Sequence, residues 1–179
     1  MMNEPIQDLL RELVNTPEIE VSDIPKLDLY MDQVITLFEN TLEQTKRNAD
    51  DKLLTKTMIN NYTKDKILQP AQNKKYSPEH IIQMVLIYHL KQSLSIGDIK
   101  TLFQSTLHQD GVDLWQVYRD FLEHKGEQSR QIEMQMNEQI AALERVDNEQ
   151  ERMLLTVLAL THHANIYKRL AEKLIDQLK

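Results

Sequence analysis

Three groups of residues in this chain have side chains able to act on a ligand: the adjacent His162 and His163, the lone His89, and the lysines gathered between Lys46 and Lys100. Neighbouring residues of a helix point about 100° apart, so His162 and His163 cannot hold one metal as an i, i+4 pair does. Asn165 and Glu172 nearby do not complete a ligand spacing. His89 sits in an apolar run and reads as a partly buried core residue. With no cysteine, thiol catalysis, disulfides and thiolate metal sites drop out together. The three glycines are isolated at 97, 111 and 126, which excludes a glycine-rich phosphate loop, and no nucleophile can be paired with a base. We therefore expect no catalytic residues, no metal and no cofactor. The lysines offer charge rather than catalysis: residues 46 to 100 hold ten Lys and Arg against five Asp and Glu, a balance of +5. Residues 1 to 45 stand at −8 and residues 101 to 179 at −4, for a total of −7. Local positive charge is what a polyanion binder needs, while overall acidity works against indiscriminate adhesion to DNA or membrane.

The elements that position these residues are helices. The 179 residues include only three Gly and five Pro, 41% are hydrophobic and 27% charged, and strand-like alternation is absent. That composition belongs to an all-α globular protein. No apolar run approaches the ~18 residues of a membrane span, and Met1 to Leu10 lacks a signal-peptide pattern, so a soluble, cytoplasmic protein is expected. Glu4 to Val14 places Ile6, Leu9, Leu10 and Leu13 at helical spacing, followed by a polar linker to about Asp23. Ile24 to Leu27 lead into a helix whose stripe is Met31, Val34, Ile35, Phe38 and Leu42. Thr55 or Thr57 can cap a third helix over roughly Lys56 to Asp65, turning Met58, Ile59 and Tyr62 inward. Ile67 and Leu68 anchor its exit, and Gln69 to Lys75 forms a loop. Ser77, Pro78 and Glu79 make a strong start for a helix burying Ile81, Ile82, Val85, Leu86 and Leu90. Ser95 and Asp98 form a variant capping box for a helix carrying Ile99, Leu102 and Phe103.

The run Met58 to Leu68, MINNYTKDKIL, with Pro70, Lys75, Tyr76, Ser77 and Leu94 to Leu102, resembles the MerR-type winged helix-turn-helix. The run LTKTMINNYTKDKIL with KKYSPEHI is more closely similar to a bacterial MerR-like family described only as domain of unknown function 1836, and this likeness extends back to Ile24. The resemblance implies a domain over residues 24–107 that binds double-stranded DNA. Thr57, Asn60, Asn61 and Lys64 would face the major groove, with Tyr62 as the helix-end aromatic. Lys56, Lys74, Lys75 and Tyr76 would hold the backbone. Asn60 stands where that family usually has arginine, and Lys66 where a glycine normally ends the helix. Asparagine can still make a bidentate contact to adenine.

Beyond the break at His108 to Gly111, a long helical region begins at Val112, with Gly126 a point where it can bend. It continues through Ile132, Met136, Ile140 and Leu143, and Val146 to Asn148 form a turn. Met153, Val157, Leu160, Ala164, Tyr167, Ala171, Leu174 and Leu178 then alternate steps of 4 and 3, a heptad seam. Leu154, Leu155, Leu158 and Ile166 widen that face. The expected organisation is an N-terminal helix and linker over residues 1–23, the helix-turn-helix domain, and a C-terminal helical hairpin over residues 112–179. The hairpin either closes on itself or pairs two chains, as MerR-like regulators pair through C-terminal helices. Two functions compete: a homodimeric transcriptional regulator, or a non-catalytic protein-interaction module that keeps the fold without binding DNA. Neither the operator nor an effector can be read from the pattern.

Overall fold

A computed structural model describes residues 6–179. Helix accounts for 67% of the described residues and strand for 3%, so the fold is all-α. Seven α-helices lie among the described residues: α1 Ile6–Val14, α2 Met31–Leu42, α3 Lys56–Lys64, α4 Pro78–Leu90, α5 Ile96–Ser105, α6 Leu114–Leu143 and α7 Glu149–Asp176. Of the expected N-terminal helix, Glu4 and Pro5 lie outside the described residues. The chain divides into two compact units. One comprises residues 17–122 with 175–179, and the other residues 6–16 with 123–174.

The first unit is organised around α4. Its residues from His80 to Ile87 are all buried, because a helix that is apolar on nearly every side must be surrounded. Ile81, Ile82, Val85 and Ile87 pack in one core with Val34, Phe38 and Leu42 of α2, Ile59 of α3, and Ile99 and Phe103 of α5. Leu90, expected inside, is only half-buried at the helix end. The start of α4 is held twice: the Ser77 amide donates to His80 Nδ1 at 3.1 Å, and the Trp115 indole donates to Glu79 at 3.0 Å. That indole bond holds the Glu79 carboxyl below its ordinary pKa. Three residues on, the fully buried Tyr118 donates its hydroxyl to the Ile19 carbonyl. Burial raises the pKa of this phenol, so it stays a donor. The Ser95 hydroxyl accepts from the Asp98 amide at 3.1 Å, which starts α5 as its capping pattern requires.

Two strands of two residues each, β1 Leu29–Tyr30 and β2 Lys75–Tyr76, pair antiparallel with Leu29 opposite Tyr76 and Tyr30 opposite Lys75. Strands this short cannot show alternation, which is why the sequence pattern contains no sign of them. They pin the segment before α2 to the segment before α4.

In the second unit, α6 runs unbroken through Gly126. Asn148 then caps α7, its side-chain oxygen accepting from the amides of Gln150 at 2.9 Å and Glu151 at 3.1 Å. Met136, Ile140 and Leu143 of α6 face Thr156, Ala159 and Leu160 of α7. The hairpin interior thus touches the heptad seam at its edge, through Leu160. Leu178 of the expected seam lies beyond the end of α7.

Candidate functional site

Helix α3 begins where the Thr55 hydroxyl accepts from the Met58 amide at 3.1 Å, the threonine cap expected from sequence. Ile59 and Tyr62 are buried, at 0% and 5% exposure, and burial raises the pKa of the Tyr62 phenol. Lys56, Thr57, Asn60, Asn61 and Lys64 are all exposed. Positions 57, 60, 61 and 64 recur at helical steps of 3 and 4, so one face of a nine-residue helix carries a hydroxyl, two amides and an ammonium. All four can donate hydrogen bonds, and the hydroxyl and amides can also accept them.

The helix exit is governed by Lys66. The Ile67 amide donates to the Tyr62 carbonyl at 2.9 Å and the Lys66 amide to that of Thr63 at 3.1 Å. This pair is a Schellman closure, which requires a left-handed residue after the C-cap. Lys66 has φ 60°. The residue standing where the MerR pattern has glycine therefore adopts the conformation that favours glycine.

The connection to α4 contains a second such feature. Gln72 and Lys75 exchange amide-to-carbonyl bonds of 3.0 and 2.9 Å, and between them Asn73 and Lys74 have φ 51° and 64°. Two successive positive φ values define a tight hairpin turn of type I′, for which Asn followed by Gly is the favoured pair. The expected wing is thus a two-residue turn whose second position is a lysine, exposed at its tip.

The remaining expected residues are engaged within the chain. Lys56 Nζ lies 2.8 Å from Asp32 Oδ1, an ion pair with 63% and 75% of the two side chains exposed. Such a pair contributes little stability, yet it offsets local charge. Lys75 is half-buried, its ammonium 5.1 Å from the centre of the Tyr30 ring across the strand pair. Tyr76 is buried at 4% exposure, with its ring edge-on to His80 at 5.7 Å between centroids. It supports the turn from inside and presents no exposed ring. Asp32 and Tyr30 are not apparent as partners in the sequence because each lies 24 or more residues from its lysine. Only the strand pairing brings Tyr30 to Lys75.

The histidines find structural places. His89 Nε2 is 2.9 Å from a Glu18 carboxylate oxygen, with side chains 20% and 12% exposed. Burial lowers the His89 pKa, which favours the neutral ring. The rings of His162 and His163 are 6.1 Å apart at their centres. Among the described residues, no group of three or more His, Asp or Glu is placed to hold a metal. No helix among them is long and apolar enough to cross a membrane.

Residues 19–121 match a protein family described as domain of unknown function (DUF1836). The chain belongs to this family. The DUF1836 segment begins at Ile19, whose carbonyl receives the Tyr118 hydroxyl. It ends at Phe121, whose ring stacks on that of Tyr118 with centroids 6.4 Å apart. Its limits nearly coincide with the compact unit over residues 17–122, so the family corresponds to a physical body with its own core. The α7 helix lies outside the matched residues. No curated protein matches the chain, and no solved structure matches it.

Proposed function

We propose that the protein is a non-catalytic DNA-binding transcriptional regulator of the MerR-like winged helix-turn-helix type, acting as a homodimer. The observation that carries this reading is the exposed polar face of α3, Thr57, Asn60, Asn61 and Lys64, flanked by two lysines in left-handed conformations. Glycine would occupy both left-handed positions at lower cost. Lysine at both brings a cation to each end of the loop that follows α3, and cations there suit the phosphates on either side of a groove. The order of elements supports the same reading: β1, α2, α3, the tight turn and α4 follow one another as a helix-turn-helix with a minimal wing. Asparagine at 60 and 61 gives α3 the side chain that pairs bidentately with adenine.

The test uses Lys64→Glu with Lys74→Glu, both exposed and both clear of the core. Fluorescence anisotropy with genomic DNA fragments should show weaker binding on every sequence, and the slope of log affinity against log salt should flatten by about 0.9 for each phosphate no longer neutralised. Salt-independent binding by the unaltered protein, or binding unchanged after both reversals, would remove the proposal. Asn60→Ala and Asn61→Ala should instead alter which sequences are preferred.

A second reading, a protein-interaction module on the same fold, is favoured by one specific finding. Of the four lysines assigned to the DNA backbone or groove edge, Lys56 is ion-paired with Asp32 and Lys75 covers Tyr30. Absence of any salt-sensitive affinity for duplex DNA in the unaltered protein would select that reading.

A further inference from the structure

Away from the exposed face of α3, a cleft of about 280 Å³ opens between the loop preceding α3 and the end of α4. Four cations line it, Lys46, Arg47, Lys52 and Lys91, against one acid, Asp51. Lys46 is committed to Glu39, with Nζ 2.5 Å from the carboxylate and only 11% of its side chain exposed. Asp51 is turned back on its own loop, where it accepts the Asn48 amide at 2.9 Å. Arg47, Lys52 and Lys91 outweigh the remaining charge of Asp51 and leave the cleft net positive.

Lys91 is the telling residue. It is half-buried at the end of α4, and its hydrogen-bond acceptor is the Met58 thioether at 3.7 Å. Sulfur of this kind is a weak acceptor. Burial lowers the pKa of the ammonium, the mark of a cation that has lost water without gaining a carboxylate. The hydroxyls in the cleft do not supply the missing acceptor. Thr45 donates to the Leu42 carbonyl at 2.6 Å, so Tyr88, whose oxygen lies 2.6 Å from that of Thr45, must donate to it in turn. What remains pointing at the space is donor-rich and positive.

We propose that this cleft binds a small dianionic oxyanion of the phosphate class, inorganic phosphate or a phosphate monoester, between Arg47, Lys52 and Lys91. The planar guanidinium fork of Arg47 matches the geometry of such an oxyanion, and the two ammonium groups add point charge. The volume exceeds that of one water-sized group several times over, leaving space for the organic part of an ester. Occupancy would draw Lys91 from Met58, which sits in the first turn of α3. Where the DNA-binding reading above holds, the ligand therefore acts on the helix that meets DNA. The binding itself does not rest on that reading.

The test is titration of the full chain with inorganic phosphate, then with a simple phosphate monoester, at constant ionic strength, followed by amide chemical shifts. Saturable shifts centred on residues 45–53 and 88–92, and reaching Met58 in the first turn of α3, are expected. Affinity should fall at least roughly tenfold in Lys91→Met and again in Arg47→Gln with Lys52→Gln. The second variant keeps Lys91 and the core intact, so a folding defect in the first does not hide the result. Absence of saturable shifts, or an affinity in both variants unchanged from that of the unaltered chain, overturns the proposal. So does a third arm in which the variants lose affinity for a short DNA duplex while neither phosphate nor its ester shifts the cleft, because the cations would then serve the DNA backbone.

Discussion

Lysine 66 and lysine 74 show how a residue can violate local preference and still be informative. Each adopts a left-handed conformation that costs a residue with a Cβ about 1–2 kcal/mol relative to the right-handed form. Lys66→Gly should relieve most of that cost and lose part of the gain to the greater freedom of glycine in the unfolded chain. A net stabilisation of about 0.5–1 kcal/mol follows, and calorimetry should show Tm raised by roughly 1–4 °C. An unchanged or lower Tm would mean that the lysine stem contributes packing that offsets the strain. The same substitution should weaken DNA binding if the charge at this position meets phosphate, so stability and affinity move in opposite directions. The departure from glycine at 66 is visible in sequence as a mismatch. That it marks a strained residue, with a second at 74, emerges only from the backbone angles.

At the scale of elements, the helices can be read from sequence because their determinants are local. Thr55, Ser77 and Ser95 each lie where a helix starts, and the stripe of α2 names its own buried face, whereas α4 is buried all round from His80 to Ile87. The contacts between elements cannot be read this way, since Tyr30 with Lys75, Asp32 with Lys56, and Tyr118 with Ile19 join residues far apart in sequence. The candidate site divides along the same line: the exposed face of α3 follows from periodicity, whereas the buried place of Tyr76 and the engagement of Lys75 depend on the two-residue strands. The bond between Tyr118 and the Ile19 carbonyl is the most exacting of these contacts. It ties the early part of α6 to the segment from Ile19 to Ile24, and a carbonyl left without its donor in a buried place is costly. Tyr118→Phe preserves the ring stacked on Phe121 and removes only the hydroxyl. It should destabilise the protein by about 1–3 kcal/mol in denaturant unfolding, with the slope unchanged because the fold is kept. A loss below a few tenths of a kcal/mol would show that water replaces the hydroxyl.

At the scale of the whole molecule, α7 poses the largest demand for a partner. Val157, Tyr167 and Leu174 of the heptad seam are 50%, 69% and 55% exposed. Leu154, Leu158, Ile166 and Leu170, on other sides of the same helix, are between 52% and 60% exposed. Thr156 is buried and Arg152, Ala159 and His163 are half-buried, so the covered side of the helix is a narrow one. Apolar side chains around most of a helix's circumference call for cover, and the homodimer proposed above would provide it with a second copy of the same hairpin. In a two-fold pairing every substitution acts twice. Burial of one such side chain contributes about 1.5–3 kcal/mol, so Val157→Glu removes roughly 3–6 kcal/mol from the pair before the cost of burying the carboxylate. That corresponds to a dimer dissociation constant weakened by about two to four powers of ten. Light scattering on fractions from size-exclusion chromatography should find the unaltered chain dimeric and the variant monomeric at micromolar concentration. The core around α4 should stay folded, because Val157 belongs to the other compact unit. A concentration-independent monomer for the unaltered chain would remove the pairing, and with it the expectation that two copies of α3 read half-sites about one helical turn apart.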